Sequence, residues 1–468
     1  MNHSVGTLFI ASIFLLAGCA DTPPPPDKPM QTPQQFTSRR LDSEGVKHFI
    51  ESNSKISVRP WPLKTWRFQQ LNLAAFYYHP DLDVARAQRD SVRASEITAG
   101  QIPNPTLDVA PTYDETMTYP WVLPFSLSIP IETGNKRALR VQNAHDLSQV
   151  AEQRILSTAW MVRNRLVNAL IDRYIANQSV MVYRSQSEVQ NAISTMFEQR
   201  QAAGQSLSLS ASQLMIGYRQ TLLLEKDAEK QQAESQVTMA SAIGVPVEAV
   251  APISIDWNDI ASFSIPQSML ERNIHEQVLK QHADLMAALA EYTAAHSALQ
   301  LELAKQIPDI NIGPGYEWNK EGEKYVLGFS ITLPVFNNNE GAIAEATAKR
   351  NEAAERFNAL QAKIIGDIQL AQASYRAGRE KLKTAEELLG AQKTKLSRLT
   401  GQLGQGDAAK LPLLLARSEI EAAAATRMEA IGQLLKAKAA LEFATETPLF
   451  GTSVDATVTV STPKREKP

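Results

Sequence analysis

Residues 325–335 read Tyr325-Val326-Leu327-Gly328-Phe329-Ser330-Ile331-Thr332-Leu333-Pro334-Val335. Tyr325, Leu327, Phe329, Ile331, Leu333 and Val335 take one side of an extended chain, and Val326, Gly328, Ser330, Thr332 and Pro334 take the other. Side chains alternate across a strand with period two, so this run predicts a strand that is apolar on one face and small or polar on the other. A matching run stands 204 residues earlier, where Phe125-Ser126-Leu127-Ser128-Ile129-Pro130-Ile131 parallels Phe329 to Val335. The segments just before alternate as well. Leu107, Val109 and Tyr113 oppose Thr106, Asp108 and Thr112, and Ile310, Ile312 and Tyr316 oppose Asn311, Gly313 and Gly315.

The repetition extends beyond the strands. His79-Pro80-Asp81-Leu82 returns as His282-Ala283-Asp284-Leu285, Gln101-Ile102-Pro103-Asn104 returns as Gln306-Ile307-Pro308-Asp309, and Pro246 returns as Pro448. Segments that keep their order and nearly their spacing mark a duplication. The first repeat covers 66–265, with a strand pair at about 104–131 and a helical hairpin at about 136–244. The second covers 266–450, with a strand pair at about 309–335 and a hairpin at about 341–446. A helix opens each repeat, from Trp66 to Ala99 and from Pro266 to Lys305, and Asp81 and Asp284 are expected at helix caps near their starts.

The strands have the roughly 9 to 11 residues that cross an outer membrane at a tilt. Leu127, Ile129, Leu327, Phe329 and Ile331 are the expected lipid-facing residues. Four strands cannot close a pore, since barrels of this kind need at least about eight. Open strand edges are not viable in lipid, so the alternation also predicts an oligomer, and a trimer would supply twelve strands.

From Gly341 to about Leu399 the chain contains no proline. A narrow stripe runs through Ile368, Ala371, Tyr375, Gly378, Leu382, Ala385, Leu389, Gln392, Leu396 and Leu399, preceded by Ile343, Ala346, Ala353, Phe357, Leu360 and Ile364 in an earlier register. At 1.5 Å per residue, about 58 residues reach near 87 Å, far beyond a compact domain. A matching helix is expected from Lys136 to Arg200. The hairpins turn at Ala203-Gly204-Gln205-Ser206 and Leu403-Gly404-Gln405-Gly406.

Leu8 to Leu16 form an apolar run ending in Leu16-Ala17-Gly18-Cys19, which resembles a lipoprotein processing signal and is too short to span a membrane. Residues 1–18 are therefore expected to be a signal peptide, 19–65 a proline-rich extension acylated at Cys19, and 451–468 a flexible tail. With one cysteine, no intramolecular disulfide and no thiolate metal cluster can form. The 47 basic and 50 acidic residues nearly cancel and no basic, aromatic-laced stripe appears, so nucleic acid is not an expected partner. The seven histidines are scattered and match no catalytic, cofactor or metal-ligand spacing. His79 with Asp81 and His282 with Asp284 are read as helix-cap pairs in preference to metal ligands, and no enzyme chemistry is expected.

The chain resembles the TolC-like outer-membrane efflux family from about Trp66 to Phe450. The residues that carry the resemblance are Gln101 to Leu107, Ile129-Pro130-Ile131-Glu132-Thr133-Gly134-Asn135-Lys136-Arg137, and Leu333-Pro334-Val335-Phe336-Asn337-Asn338-Asn339-Glu340-Gly341. The last two are most similar to the cobalt-zinc-cadmium type of heavy-metal exporter. The resemblance implies a mixed α and β fold, with long helical hairpins forming a periplasmic tunnel below a trimeric 12-stranded barrel in the outer membrane. It implies a passive conduit for heavy-metal cations, or alternatively for drugs or secreted protein, with a periplasmic adaptor and a proton-driven inner-membrane pump as partners. An adaptor or a structural coiled coil fits less well, because each hairpin follows a membrane-type strand pair. By the family's pattern Arg200, Gly204 and Ser208 fall at the first adaptor-contact tip and Gly404 and Gly406 at the second, where Gln402 and Lys410 depart from the pattern.

Overall fold

The computed structural model describes residues 32–54, 58–118, 120–203, 208–319, 322–402 and 407–451. Cys19 and the proline run lie outside the described residues. Residues 32–39 form a separate unit with one short helix, α1 (Thr32–Thr37).

In the main unit, α2 (Glu44–Asn53) begins at Ser43, whose hydroxyl accepts the Val46 N–H. It buries Val46, Phe49 and Ile50, and Ser43 bonds the Tyr78 hydroxyl, so this part of the N-terminal extension is packed against α3. The short strand β1 (Thr65–Trp66) then leads into α3 (Phe68–Tyr78) and α4 (Pro80–Gly100).

The single helix expected from Trp66 to Ala99 is thus two. Proline disfavours helical backbone at the residue before it and is well suited to a helix's first position. His79 is accordingly extended at φ −67°, ψ 124°, and Pro80 starts the new helix. The helix expected from Pro266 to Lys305 is broken further, into a 3₁₀ turn (Gln267–Leu270), α8 (Ile274–Val278) and α9 (Ala283–Ala304); residues 279–282 separate α8 from α9, and His282 has the same extended conformation as His79.

Strands β2 (Thr106–Val109), β3 (Thr112–Tyr113) and β4 (Trp121–Ile131) come from the first repeat, and β6 (Ile310–Asn319) and β7 (Gly322–Ile331) from the second. Between them lie α5 (Lys136–Ala202), α6 (Ser208–Ile243), α7 (Val247–Val250) and β5 (Ser254–Ile255), which pairs in parallel with β1. Two further helices close the chain, α10 (Glu340–Gln402) and α11 (Asp407–Thr445). All strand pairs of the larger sheet are antiparallel, in the order β2-β4-β6-β7, with β3 also on β4. Pro111, which has no N–H to give, separates β2 from β3 without changing their register on β4. Strand β7 ends at Ile331, opposite Ile310, four residues short of the expected Val335, because its partner β6 starts there.

The 67 residues of α5 and 63 of α10 correspond to rods of about 100 and 95 Å. Toward their tips they pair with α6 and α11; toward the sheet they pack on α4 and α9. The stripe read from sequence is the buried face of α10: Ile364, Ile368, Ala371, Tyr375, Gly378, Leu382 and Ala385 are all buried. At Gly378 a Cβ would lie 3.3 Å from the Leu434 Cα, so the absent side chain lets α10 and α11 approach closely.

The main core joins both repeats. Trp66, Phe68, Leu71, Leu166, Leu170, Ile243, Leu434 and Phe450 pack together at mid-height of the helices. A buried ionic group crosses this core. Arg163 on α5 donates to both Glu442 oxygens on α11, at 2.8 and 3.3 Å, and to the Phe450 carbonyl at 2.6 Å, while Glu442 accepts the Phe450 N–H at 2.8 Å. The chain end after α11 is thereby tied to the first repeat. Removing one partner of such a pair leaves an uncompensated buried charge, so Glu442→Ala is expected to cost about 3–5 kcal/mol in urea unfolding.

Lys438 lies one turn away, its ammonium 4.3 Å from the Phe450 ring centre and donating to the Ser262 carbonyl at 2.8 Å. Burial lowers its pKa to about 8 from the ordinary 10.5, against the opposing pull of Glu442 and Asp259. Between those two values the unfolded chain holds a proton that the folded chain lacks, so this group makes stability rise as pH increases from about 8 to 10.5. Urea unfolding across that window should show the rise, and Lys438→Met should flatten it.

Candidate functional site

The register places the large side chains of four strands on one face. Leu107 lies opposite Leu127, Phe125 opposite Tyr316, Ile129 opposite Ile312, and Ile312 opposite Phe329. Leu327 is 62% and Phe329 70% exposed, and Leu107, Ile129 and Ile331 are exposed on the same face. A contiguous apolar surface of this extent on the described chain marks a face that another medium or molecule covers. Leu127, expected on this face, lies there but is only half-exposed. Aromatic residues gather at the turn end, with Tyr113 against Trp121 and Tyr316 against Tyr325.

The opposite face is mostly small and polar, with Val326 as an exposed apolar exception. Ser126, Ser128, Asn311, Gly313, Gly315, Gly328 and Ser330 line a concave groove there. Strands β2 and β7 have their outer edges without a partner strand among the described residues. No described helix is long and apolar enough to cross a membrane.

Where the sheet meets the helices, Asp309 gathers the chain. Its carboxylate accepts the Lys136 ammonium at 2.7 Å and the Thr133 N–H at 2.8 Å, tying the strand-to-helix turn of the first repeat to the start of β6. Burial raises the Asp309 pKa, and the opposing bonds from Lys136 and Thr133 outweigh it, so the carboxyl is held below its ordinary value.

Of the tip residues singled out from sequence, Arg200 is in the last turn of α5 and Ser208 is the first residue of α6. Gly204, Gly404 and Gly406 lie outside the described residues.

The two His-Asp motifs differ in surroundings. In the first repeat the His79 Nδ1 accepts the Asp81 N–H at 3.2 Å, and Asp81 pairs with Arg165 at 2.5 Å. In the second, Glu446 reaches the site from the end of α11. Its carboxylate accepts the Ala283 N–H at 2.6 Å and stands 3.4 Å from the His282 Nδ1, while Asp284 accepts the Ser157 hydroxyl. Burial pushes the Glu446 pKa up to about 8, with Asp284 adding to it, and burial lowers that of His282. The sequence reading missed Glu446, which is 163 residues from Ala283; the signal available was its alignment with Gly244, two residues before the paired prolines.

Residues 274–446 match the family model of the outer membrane efflux protein. Over that stretch the chain is similar to this outer membrane efflux family. Among its relatives, the cobalt-zinc-cadmium resistance protein CzcC of Cupriavidus metallidurans is 21% identical over 311 residues, 66% of this chain and 72% of the relative. The pyoverdine export outer membrane protein OpmQ of Pseudomonas putida is 25% identical over 232 residues, 45% of this chain and 46% of the relative. The fold is that of the outer membrane protein VceC of Vibrio cholerae, with a TM-score of 0.65 at 19% identity, covering 81% of this chain and 95% of that one.

Proposed function

We propose that the chain is the outer-membrane subunit of a tripartite efflux system, assembled as a homotrimer and exporting heavy-metal cations. The observation that carries this reading is a sheet of β2-β4-β6-β7, with β3 also on β4, that has one exposed apolar face and two edges without a partner strand among the described residues. Lipid has no water to satisfy free backbone groups, so such a sheet is stable in a membrane only when neighbouring copies pair with its edges. Three copies give twelve strands, with Leu127, Ile129, Leu327, Phe329 and Ile331 toward lipid and the Ser and Gly face toward the lumen. Ten paired residues at about 3.4 Å each, tilted by about 40°, cover the roughly 25 Å of apolar band.

Exposed apolar residues along the helices, including Met181, Ile216, Leu223 and Leu370, support the same assembly by offering faces to adjacent hairpins. The tips around Arg200, Gly204, Ser208, Gly404 and Gly406 are the contacts for a periplasmic adaptor, which couples the tunnel to a proton-driven inner-membrane pump. Acyl chains on Cys19 add a lipid anchor. The relationship to CzcC supports metal cations as cargo, and that to OpmQ supports export of a small organic molecule as the second reading.

Detergent-extracted protein should run as a heat-labile trimer and conduct ions in planar bilayers; a monomer without conductance contradicts the proposal. A charge on the lipid face costs about 2–4 kcal/mol near the bilayer midplane, so Phe329→Arg should abolish membrane assembly, whereas Ser330→Arg on the lumen face should assemble and shift ion selectivity. A deletion strain should lose tolerance to zinc or cadmium; unchanged metal tolerance with lost tolerance to organic toxins selects the second reading.

A further inference from the structure

The two repeats depart from each other at the junction of the last hairpin helix with the following turn. In the first repeat this position is Gly244, at φ 86°, and a Cβ there would sit 2.8 Å from the Tyr78 carbonyl oxygen, so only glycine fits. In the second repeat the equivalent residue is Glu446, also left-handed at φ 46°, a conformation that non-glycine residues adopt at a cost. Its carboxylate is turned inward to meet the start of α9.

There the partners are arranged differently from the first repeat. His79 caps its own helix by accepting the Asp81 N–H, and Pro80 has no N–H to satisfy. In the second repeat Ala283 has that N–H, and one Glu446 oxygen accepts it, leaving the His282 ring out of the cap. His282 is only 5% exposed, and its Nδ1 is buried with no hydrogen bond. An unmet buried ring nitrogen costs free energy unless something is bound to it.

One ligand atom from each of His282, Asp284 and Glu446 lies within 4.8 Å of the others. We propose that these three side chains form a binding site for one divalent transition-metal cation of the zinc class.

The donor set, one imidazole nitrogen with two carboxylate oxygens, suits zinc or cobalt over magnesium or calcium, which take oxygen alone. Metal–ligand distances near 2.0–2.2 Å require the three atoms to draw together, a movement within reach of side-chain rotation in Asp284 and Glu446. A dication would satisfy the ring nitrogen and the two carboxylates together. The Ser157 hydroxyl already holds Asp284, and the Ala283 N–H holds Glu446, which is the outer support that ligating carboxylates need. A groove lined by His282, Asp284, Asn164, Asn168, Lys363 and Asp367 gives the cation its approach and leaves room for a water as fourth ligand. The site ties the end of α11 to the start of α9, so bound metal braces the second repeat where the first uses a glycine turn. It stands apart from the identity of the exported cargo, and its failure would leave that reading untouched.

The test uses the full chain extracted in detergent and stripped with a chelator, then titrated with Zn²⁺ by calorimetry and with Co²⁺ by visible absorption. One site per chain is expected, with cobalt d–d bands and a rise in melting temperature on adding zinc. Glu446→Gly installs the first repeat's residue, and Glu446→Gln keeps an oxygen to cap Ala283. Both should lose the cobalt bands and the zinc-dependent rise in melting temperature while the stripped protein still folds. His282→Gln should do the same, and His79→Gln should leave both signals intact. Absence of binding to the unaltered protein would overturn the site, as would undiminished cobalt bands in both Glu446→Gln and His282→Gln.

Discussion

A β-sheet with an apolar face turned outward and free N–H and C=O groups along both edges has few stable settings. Water disfavours its face, and lipid disfavours its edges. Both are satisfied when copies pair edge to edge around a lumen, with the apolar faces on the outside. In the proposed assembly the rest of the molecule holds the sheet in that arrangement. Asp309 fixes the point where the first repeat's helix leaves the sheet and the second repeat's strand enters it, and the long rods then descend from a shared base. Strand β4 pairs with β6, so the sheet is continuous across the duplication even though each repeat supplies only a strand pair.

The duplication is followed closely in the helices and less so at their ends. Each long helix is covered by a hairpin partner toward the tip and by a shorter helix toward the sheet. At mid-height the two repeats share one core, and Arg163 of the first is buried against Glu442 and Phe450 of the second. The symmetry breaks at Gly244 and Glu446, where a turn that needs no side chain in one copy carries a carboxylate in the other. A structural element used twice can thus be kept purely architectural once and adapted the second time.

Periodic features were legible in the sequence, because alternation in strands and the stripe on α10 each reflect one face meeting a different environment. Tyr375 and Leu382 are buried as the stripe requires, and Leu327 and Phe329 share the face their spacing assigns. Local interruptions were harder to read. The break at His79 was available from Pro80, but His282 takes the same conformation before an alanine, where tertiary packing decides it. Contacts between distant segments left no periodic signal: Arg163 with Glu442 spans 279 residues, and Glu446 meets His282 only because α11 returns to the base of α9. Sequence also placed Val335 in a strand that stops at Ile331, since alternation continues past the point where a partner exists.

In the proposed trimer the edge of β2 meets the edge of β7 of a neighbouring copy in a closed ring of three chains. Single cysteines scanned along 106–109 and 322–331, in pairs carried by one chain and cross-linked in native membranes, test it most directly. Covalent dimers and trimers are expected, with no larger species and no cross-link within a monomer. Cross-links confined to single chains, or a ladder running beyond three, would contradict it.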